Sequence, residues 1–484
     1  MALRCDLIIR DATVFDGLGN PRVRADVGVS SDRIVAVGDL GATEADREVD
    51  ADGMALASGF IDAHTHDDRA VLCGPDCMLC KMSQGVTTVV VGNCGVSLSP
   101  ARMTSRPPPP LDLIGDESWY AFGSFGEYAE RLARDPSPVN TYALIGHMSL
   151  RVEAMNGDTQ RAATDREAAH MQARLRQALA EGASGFSTGL YYPPNMMAPT
   201  DEVIAVAEAL RSVGGLYVTH MRDEANDVLL SIEETLKIGR AVDVPVVISH
   251  HKCSMPENFG RSAETLPVID KAAAGQKVDF DVYPYAAGST VLMPHRLRDD
   301  VPVRITWSVP HPELAGRMLA DIAAAWQLEP HVAAERLVPA GAIYYQMDEP
   351  DVRRIMAHHR AMIGSDGLPH DAYPHPRLWG TFPRVLGHYA RDLKLFSLEE
   401  AVRKMTGHTA SVFGMVDRGV IREGAYADMV LFNPDTVCDA ATYEAPTQPA
   451  IGILETWVNG QSAYVSGEGA TAARAGRLVT RNKP

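Results

Sequence analysis

"GVTTVVVGNCG", residues 85–95, joins an uninterrupted β-branched run to a cysteine flanked by glycine. Such a run is typical of a strand buried on both faces, as in parallel sheets. Seven other apolar segments alternate with helical stretches, and they read FIDAHTH, NTYALIGHMSL, ASGFSTGLYY, GLYVTHMRDE, VPVVISHHK, KVDFDVYPYA and RAMIGSDG. Eight strands that alternate with helices over roughly 300 residues predict an α/β fold, a (β/α)8 TIM-like barrel.

Both ends of the chain have a different pattern. Short alternating strands and Gly/Asp turns fill the first ~55 residues and return in the tail. We therefore expect a small β-sandwich domain formed by residues 1–57 and 415–484, and a catalytic barrel over 58–414. An insertion at about 287–340, with a helix over "HPELAGRMLADIAAAW" (311–326), interrupts the barrel late and could act as a lid. "SRPPPPLDLIG" (105–115) is a proline-stiffened loop that fits neither element type.

Bulk composition restricts the partners. Hydrophobic content of 46% with a net charge of −17 is ordinary for a globular protein and argues against nucleic acid or an anionic membrane as partner. We find no signal peptide and no apolar run near the ~20 residues of a membrane span. Seven scattered cysteines then suggest free thiols in a reducing cytoplasm. The expected partner is a small molecule, and the sequence does not indicate the oligomeric state.

Potential metal ligands lie where the predicted strands end. In a barrel these carboxyl ends share one face, where active sites are built. A single histidine in such a place is more often a satisfied core or loop residue, but a whole set at successive strand ends favours a metal site. The set is His64, His66, Cys94, His220, His250 and Asp366.

Cys94 could pack in the core, act as a nucleophile, form a disulfide or bind a metal. We favour the metal ligand, because thiolate and imidazole together suit Zn²⁺ and neighbouring strand ends supply the histidines. Such a metal acidifies a water molecule and polarises a carbonyl. Asp366 is then the natural base to accept the proton of the water and pass it to a leaving group.

The motifs GFIDAHTHDD, VVVGNCGVS, YVTHMRDE, VVISHHK, GSDGLPHD and GAYADMVLFNPDTV resemble the D-aminoacylases (N-acyl-D-amino-acid deacylases) of the amidohydrolase superfamily. The resemblance covers nearly the whole chain. It implies zinc-dependent hydrolysis of N-acyl-D-amino acids, and the preference for the D enantiomer comes from the resemblance alone. It also implies one tight zinc site formed by Cys94, His220 and His250, and a second, weaker metal position at His64 and His66.

The resemblance further implies that the substrate carboxylates are received by Lys252, Tyr283, Ser289 and Arg377. Independently of it, the planar guanidinium of Arg377 suits a carboxylate. Lys252, taken by itself, is equally compatible with a solvated surface lysine. "STVLMPHRLRDD" (289–300) brings His295, Arg296 and Arg298 to the region expected to meet the substrate side chain. We therefore rank a general deacylase first and an N-acyl-D-glutamate-specific deacylase second.

Two alternative functions, a different hydrolase and a non-catalytic protein, are less well supported by the sequence. A hydantoinase-type cyclic amidase would carry a bridging lysine on the fourth barrel strand, and "GASGFSTGLYY" contains none. A non-catalytic barrel would have lost its metal ligands. We interpret Cys73, Cys77 and Cys80 as structural thiols on a helix, and we leave His147 unassigned.

Overall fold

The computed structural model describes residues 4–482, and eight parallel strands in this range form a barrel. Each of the eight predicted segments contains one of them, which confirms the expected barrel. The predicted β domain begins and ends outside the described residues, at 1–3 and 483–484. In chain order the barrel strands 1 to 8 are Phe60–Asp62, Val86–Val91, Asn140–Gly146, Gly185–Gly189, Leu216–His220, Val246–Ile248, Val278–Val282 and Ala361–Ile363.

The barrel is closed by contacts between its first and last strands. The backbone amide of Ala63 donates to the carbonyl of Ile363 at 3.2 Å, and that of Asp366 donates to His64 at 2.8 Å. Closure brings the chain after strand 8 beside the chain after strand 1. Two of the predicted site segments therefore become neighbours.

Barrel strands are buried on both faces, as the near-continuous apolar runs predict. Strand 2 is buried along its whole length. Helices cover the outside of the barrel, and they are Pro75–Met82, Phe125–Arg134, His147–Ala154, Asp165–Ala180, Pro193–Met196, Thr200–Ala207, Val228–Val242, Ser262–Ala273, Glu349–Ala357, Arg377–Arg384, Leu398–Met405 and Gly407–Phe413. Within residues 4–482 no helix is both long enough and apolar enough to span a membrane.

Both ends of the chain meet in one nine-stranded sheet beside the barrel. Ala55–Ser58 pairs antiparallel with Met429–Phe432, which joins the N-terminal strands to the C-terminal ones. The other members are Arg4–Phe15, Val23–Ser30, Arg33–Gly38, Glu44–Asp50, Ile453–Val458, Gln461–Val465 and Gly469–Ala470. A last short strand, Leu478–Val479, returns to pair with barrel strand 3.

The insertion late in the barrel has its own small core. A three-stranded sheet of Gly288–Val291, Val303–Ser308 and Ala340–Tyr344 packs with helices Leu319–Trp326 and Pro330–Leu337. The helix predicted over 311–326 starts later than expected, at Leu319. Residues before it pair with the sheet instead: Ile305 donates to the carbonyl of Arg317, and Gly316, at φ +87°, donates back to Ile305.

A buried lysine links the end of barrel strand 1 to the segment after strand 8. Lys81, on helix Pro75–Met82, is fully buried, and its ammonium lies 2.8 Å from Asp62 Oδ2, 2.8 Å from Ser365 Oγ and 3.3 Å from Asp67 Oδ2. Asp62 Oδ1 also accepts the backbone amide of Ser365 at 2.7 Å. One ammonium and one carboxylate therefore tie strand 1 to the segment after strand 8.

Replacing Lys81 by Met should destabilise the fold strongly, because two buried carboxylates would lose their cation. Breaking a buried ion pair on one side typically costs roughly 3–5 kcal/mol. We expect the urea midpoint of unfolding to fall accordingly. Lys237→Met is the control, since that side chain is 61% exposed and lies 4.0 Å from its nearest carboxylate. Equal midpoints for the two variants would contradict the assignment.

Candidate active site

The carboxyl ends of the barrel strands surround a cavity of about 290 Å³. Its wall includes five of the six predicted strand-end residues: His66, Cys94, His220, His250 and Asp366. His64 is fully buried beneath them. The structure thus brings together the whole set that the sequence singled out.

Cys94 sits on a turn that only small neighbours allow. Its φ is +53°, and the flanking Gly92 and Gly95 have φ of +78° and +76°. A Cβ on Gly92 would lie 2.0 Å from the carbonyl oxygen of Leu144. Ser187, on barrel strand 4, hydrogen-bonds both sides of the turn, since its hydroxyl donates to the Gly92 carbonyl and accepts the Gly95 amide. These contacts turn the thiol into the cavity.

The thiol lies among three imidazoles. Cys94 Sγ is 3.2 Å from His64 Nε2, 3.4 Å from His250 Nε2 and 3.8 Å from His220 Nδ1. The ligand atoms of Cys94, His220 and His250 lie within 4.8 Å of one another, and so do those of His64, His66 and Cys94. Cys94 therefore belongs to two groups that could hold a metal, and His64, His250 and Asp366 form a further group beside it.

Electrostatics favour ionisation of this thiol. Burial alone would raise the pKa of Cys94, but the positive charges of His64 and His250 outweigh it and hold the pKa well below the ordinary value. A thiolate is the form that binds metals. Cys94 is thus prepared to act as a ligand.

Asp366 lies beside His64 and His66, the two histidines that follow strand 1. Its Oδ1 is 3.2 Å from His66 Nε2 and 3.5 Å from His64 Nε2, and its Oδ2 forms an ion pair with Arg377 Nη1 at 2.8 Å. Burial alone would raise the pKa of Asp366, but Arg377 first and His64 second keep it well below the usual range. The Asp366 carboxylate is therefore held in its ionised form beside the imidazoles.

Two carboxylates of the site were missed by the sequence analysis. Glu224 Oε1 lies 3.0 Å from His250 Nδ1, and its Oε2 lies 3.6 Å from His220 Nε2. Asp281 accepts the backbone amide of His250 at 2.9 Å, and its other oxygen lies 3.5 Å from His64 Nδ1. Carboxylates on the outer nitrogens of histidine ligands fix ring orientation and tautomer. Neither had a periodic signal, because Glu224 lies in a loop after strand 5 and Asp281 is one polar residue within strand 7.

The donor set fits a divalent cation. Around the imidazoles, four acidic groups can carry negative charge, those of Cys94, Glu224, Asp281 and Asp366. Among residues 4–482, Lys252 and Arg377 are the lysine and arginine side chains that pair with members of this group. Metal binding requires neutral histidines, and in that state the four ionised acidic groups exceed the two cations by two charges. Two surplus charges and soft thiolate and imidazole donors are what a zinc-like ion would satisfy.

The predicted carboxylate-binding residues occupy one side of the cavity. Lys252, Tyr283 and Ser289 line it. Lys252 Nζ is 2.8 Å from Glu224 Oε1, so it is a buried, paired cation and not a solvated surface lysine. Arg377 is fully buried behind this wall, with its guanidinium 4.5 Å from the centre of the Tyr283 ring.

Only Arg296 of the three basic residues near position 296 lines the cavity. Its guanidinium lies 3.9 Å from the centre of the Tyr191 ring, and within residues 4–482 no carboxylate comes within ion-pair distance of it. His295 is exposed. Arg298 forms ion pairs with Asp300 and Glu257 outside the cavity. Of the three basic residues that the sequence brings to this region, Arg296 is therefore the one that borders the cavity.

The remaining candidates lie outside the cavity wall. His147 is fully buried, with Nε2 3.4 Å from Glu202. Cys77 and Cys80 are on helix Pro75–Met82, and Cys73 lies just before it. No disulfide joins any of the seven cysteines, all of which fall within the described residues.

Comparison with curated proteins finds three full-length relatives. The chain is 52% identical to the D-aminoacylase of Alcaligenes xylosoxydans xylosoxydans, over 98% of both chains. It is 48% identical to the N-acyl-D-aspartate deacylase of the same organism, over 98% of this chain and 95% of the relative. Identity to its N-acyl-D-glutamate deacylase is 47%, over 100% of this chain and 98% of the relative.

Solved structures agree. A crystal structure of D-aminoacylase superposes with a TM-score of 0.96 at 51% identity, and covers 99% of this chain and 100% of its own. The N-acyl-D-glutamate deacylase from Bordetella bronchiseptica, solved with zinc and a phosphonate inhibitor, gives 0.95 at 46% identity over 99% and 100% of the two chains. The pattern described as "Amidohydrolase family" matches residues 47–243 and 311–464. On this match, and on 47–52% identity to the three relatives over at least 95% of each chain, the chain belongs to the amidohydrolase family.

Proposed function

We propose that this enzyme hydrolyses the amide bond of N-acyl-D-amino acids and releases a carboxylate and the free D-amino acid. The single observation that carries the proposal is the cluster of Cys94, His220 and His250, with Asp366 beside it and the cationic side chain of Lys252 lining the same cavity. Three relatives of 47–52% identity over nearly the full length act as deacylases of such substrates by their names, which supports the D configuration.

We assign Zn²⁺ as the metal, with Cys94, His220 and His250 forming the tight site and His64 and His66 a second, weaker one. Thiolate with imidazole is a common zinc set, and the zinc in the Bordetella bronchiseptica structure supports the choice. A metal in this place supplies a Lewis acid that polarises the acyl carbonyl and acidifies water.

The residues of the chain carry the proton and orient the substrate. Asp366 accepts a proton from the attacking water and returns it to the amide nitrogen as the C–N bond breaks. Arg377 holds the Asp366 carboxylate in place through their 2.8 Å ion pair. Lys252, Tyr283 and Ser289 receive the α-carboxylate of the substrate, with Arg377 behind Tyr283, and so fix the amide next to Asp366.

A glutamate-preferring deacylase is the second candidate, and Arg296 favours it. The guanidinium borders the cavity without a carboxylate partner, so an acidic substrate side chain could supply one. Apolar groups of Tyr191, Met293 and Tyr344 border the same cavity and suit substrates such as N-acyl-D-methionine. We therefore keep a general deacylase first.

A substrate panel tests the proposed function directly. We expect amine release from N-acetyl-D-Glu, -Asp, -Met, -Leu or -Phe and none from the L forms. Treatment with a chelator should abolish it and added Zn²⁺ should restore it, with metal content measured in parallel. Best turnover of the glutamate substrate would select the second candidate. Release from L substrates, or full activity without metal, would reject the proposal.

Asp366→Asn should bind metal normally but lose turnover by roughly 10²–10⁴-fold, the usual contribution of a positioned acid–base group. The amide keeps the size of the side chain but cannot accept the proton. Metal content and kcat are the two measurements. Near-normal kcat in this variant would remove Asp366 from the proton-transfer role.

Glu224→Gln should weaken zinc binding by roughly 10–100-fold, as loss of a carboxylate behind a ligating histidine typically does. Competition with a fluorescent chelator measures the affinity. Asp223→Asn is a matched control, because Asp223 lines the same cavity and its carboxylate accepts the backbone amides of Ala225 and Asp227. Among residues 4–482 it has no histidine partner. The same affinity in both variants would show that Glu224 does not support the ligands.

A further inference from the structure

The proline-rich loop of residues 105–115 has a face on the cavity. Pro110 and Leu113 line the wall, together with Val96 and Leu368. All four side chains are buried and apolar. Val96 follows Cys94 by two residues and Leu368 follows Asp366 by two, so this apolar wall adjoins the reacting centre.

We infer that this loop is the acyl-binding wall of the enzyme, and that Leu113 sets the length of the aliphatic acyl chain it accepts. The inference rests on the proposed function and adds the class of acyl group. It names a role for a loop that the sequence pattern left without one.

Strand order in the barrel gives the direction of the substrate. Cys94 and Asp366 follow strands 2 and 8, which flank strand 1 in the closed sheet. Lys252 and Tyr283 follow strands 6 and 7, beside the insertion that carries Ser289 and Arg296. When the amino-acid part of the substrate lies on the side of strands 6 and 7, the acyl substituent of its amide points towards the ends of strands 2 and 8. The apolar wall lies on that side of the cavity.

The loop offers the cavity no charge. Asp112 is its single acidic residue, and its carboxylate pairs with Arg106 at 3.0 Å away from the cavity lining. An anionic acyl group such as succinyl would therefore find no partner on this wall, and burying an unpaired charge is costly. Uncharged aliphatic acyl groups fit it.

Internal contacts hold the loop as a fixed wall. The Tyr120 hydroxyl donates to the carbonyl of Leu111 at 2.7 Å, and both residues are buried. The amide of Leu113 donates to Pro110 at 3.0 Å. Four consecutive prolines, residues 107–110, restrict the backbone further. A rigid wall can discriminate between chain lengths, because it does not yield to longer groups.

The test compares acyl chains on one amino acid. N-acetyl-, N-butyryl-, N-hexanoyl- and N-succinyl-D-methionine are measured as kcat/KM for the wild type, Leu113→Ala and Leu113→Phe. We expect Leu113→Ala to raise the ratio of butyryl to acetyl, by up to about fourfold per methylene newly accommodated. Leu113→Phe should lower it. Preference among N-acetyl-D-amino acids should stay as in the wild type.

Leu111→Ala is the matched control. Leu111 is fully buried in the same turn but does not line the cavity, so its truncation removes the same number of side-chain atoms and leaves the cavity lining unchanged. Its acyl profile should equal that of the wild type. An equal shift in Leu111→Ala, an unchanged profile in both Leu113 variants, or succinyl turnover matching butyryl would overturn the loop assignment. Failure of the wild type on every N-acyl-D-amino acid would instead overturn the proposed function, and the assignment with it.

Discussion

A buried lysine holds the first and last barrel strands together, and the site depends on that junction. Lys81 contacts Asp62 at the end of strand 1 and Ser365 after strand 8. His64 lies two residues after Asp62, and Asp366 directly follows Ser365. The backbone amide of Asp366 donates a hydrogen bond to the carbonyl of His64. A charge inside the barrel wall is stable only when it is paired and hydrogen-bonded, and this one is. Asp366 and the two histidines that follow strand 1 are thus held in a fixed position relative to one another.

Strained backbone at three strand ends aims the functional side chains. The φ angles of Cys94, His250 and Asp366 are +53°, +36° and +49°. Residues other than glycine rarely adopt this backbone region. Such conformations cost on the order of 1–3 kcal/mol each and persist only where surrounding contacts impose them. Those contacts are present: Ser187 supports the Cys94 turn, Asp281 binds the amide of His250, and His64 accepts the amide of Asp366. The fold therefore gives up some stability to direct these three side chains into one cavity.

Charge pairing explains how one cavity holds thiol and imidazole donors next to two buried cations. Lys252 is paired with Glu224 and Arg377 with Asp366, so neither cation faces the metal donors uncompensated. Each pair also joins the two functions physically, since Glu224 contacts His250 and Asp366 contacts His66. The cations can attract a substrate carboxylate while the thiolate and remaining carboxylates favour a metal ion.

The sequence by itself determined the barrel, its terminal sheet and the strand-end ligands, because apolar periodicity and the residues at strand ends are local patterns. It did not reveal Lys81, which reads as one more lysine on a helix, nor Glu224, which lies in a loop. It also placed His295 and Arg298 with Arg296, although a short turn directs only one of the three to the cavity. Which side chains meet across the barrel depends on closure and loop geometry. Contacts between distant segments carry no periodic signal, so only the tertiary structure decided them.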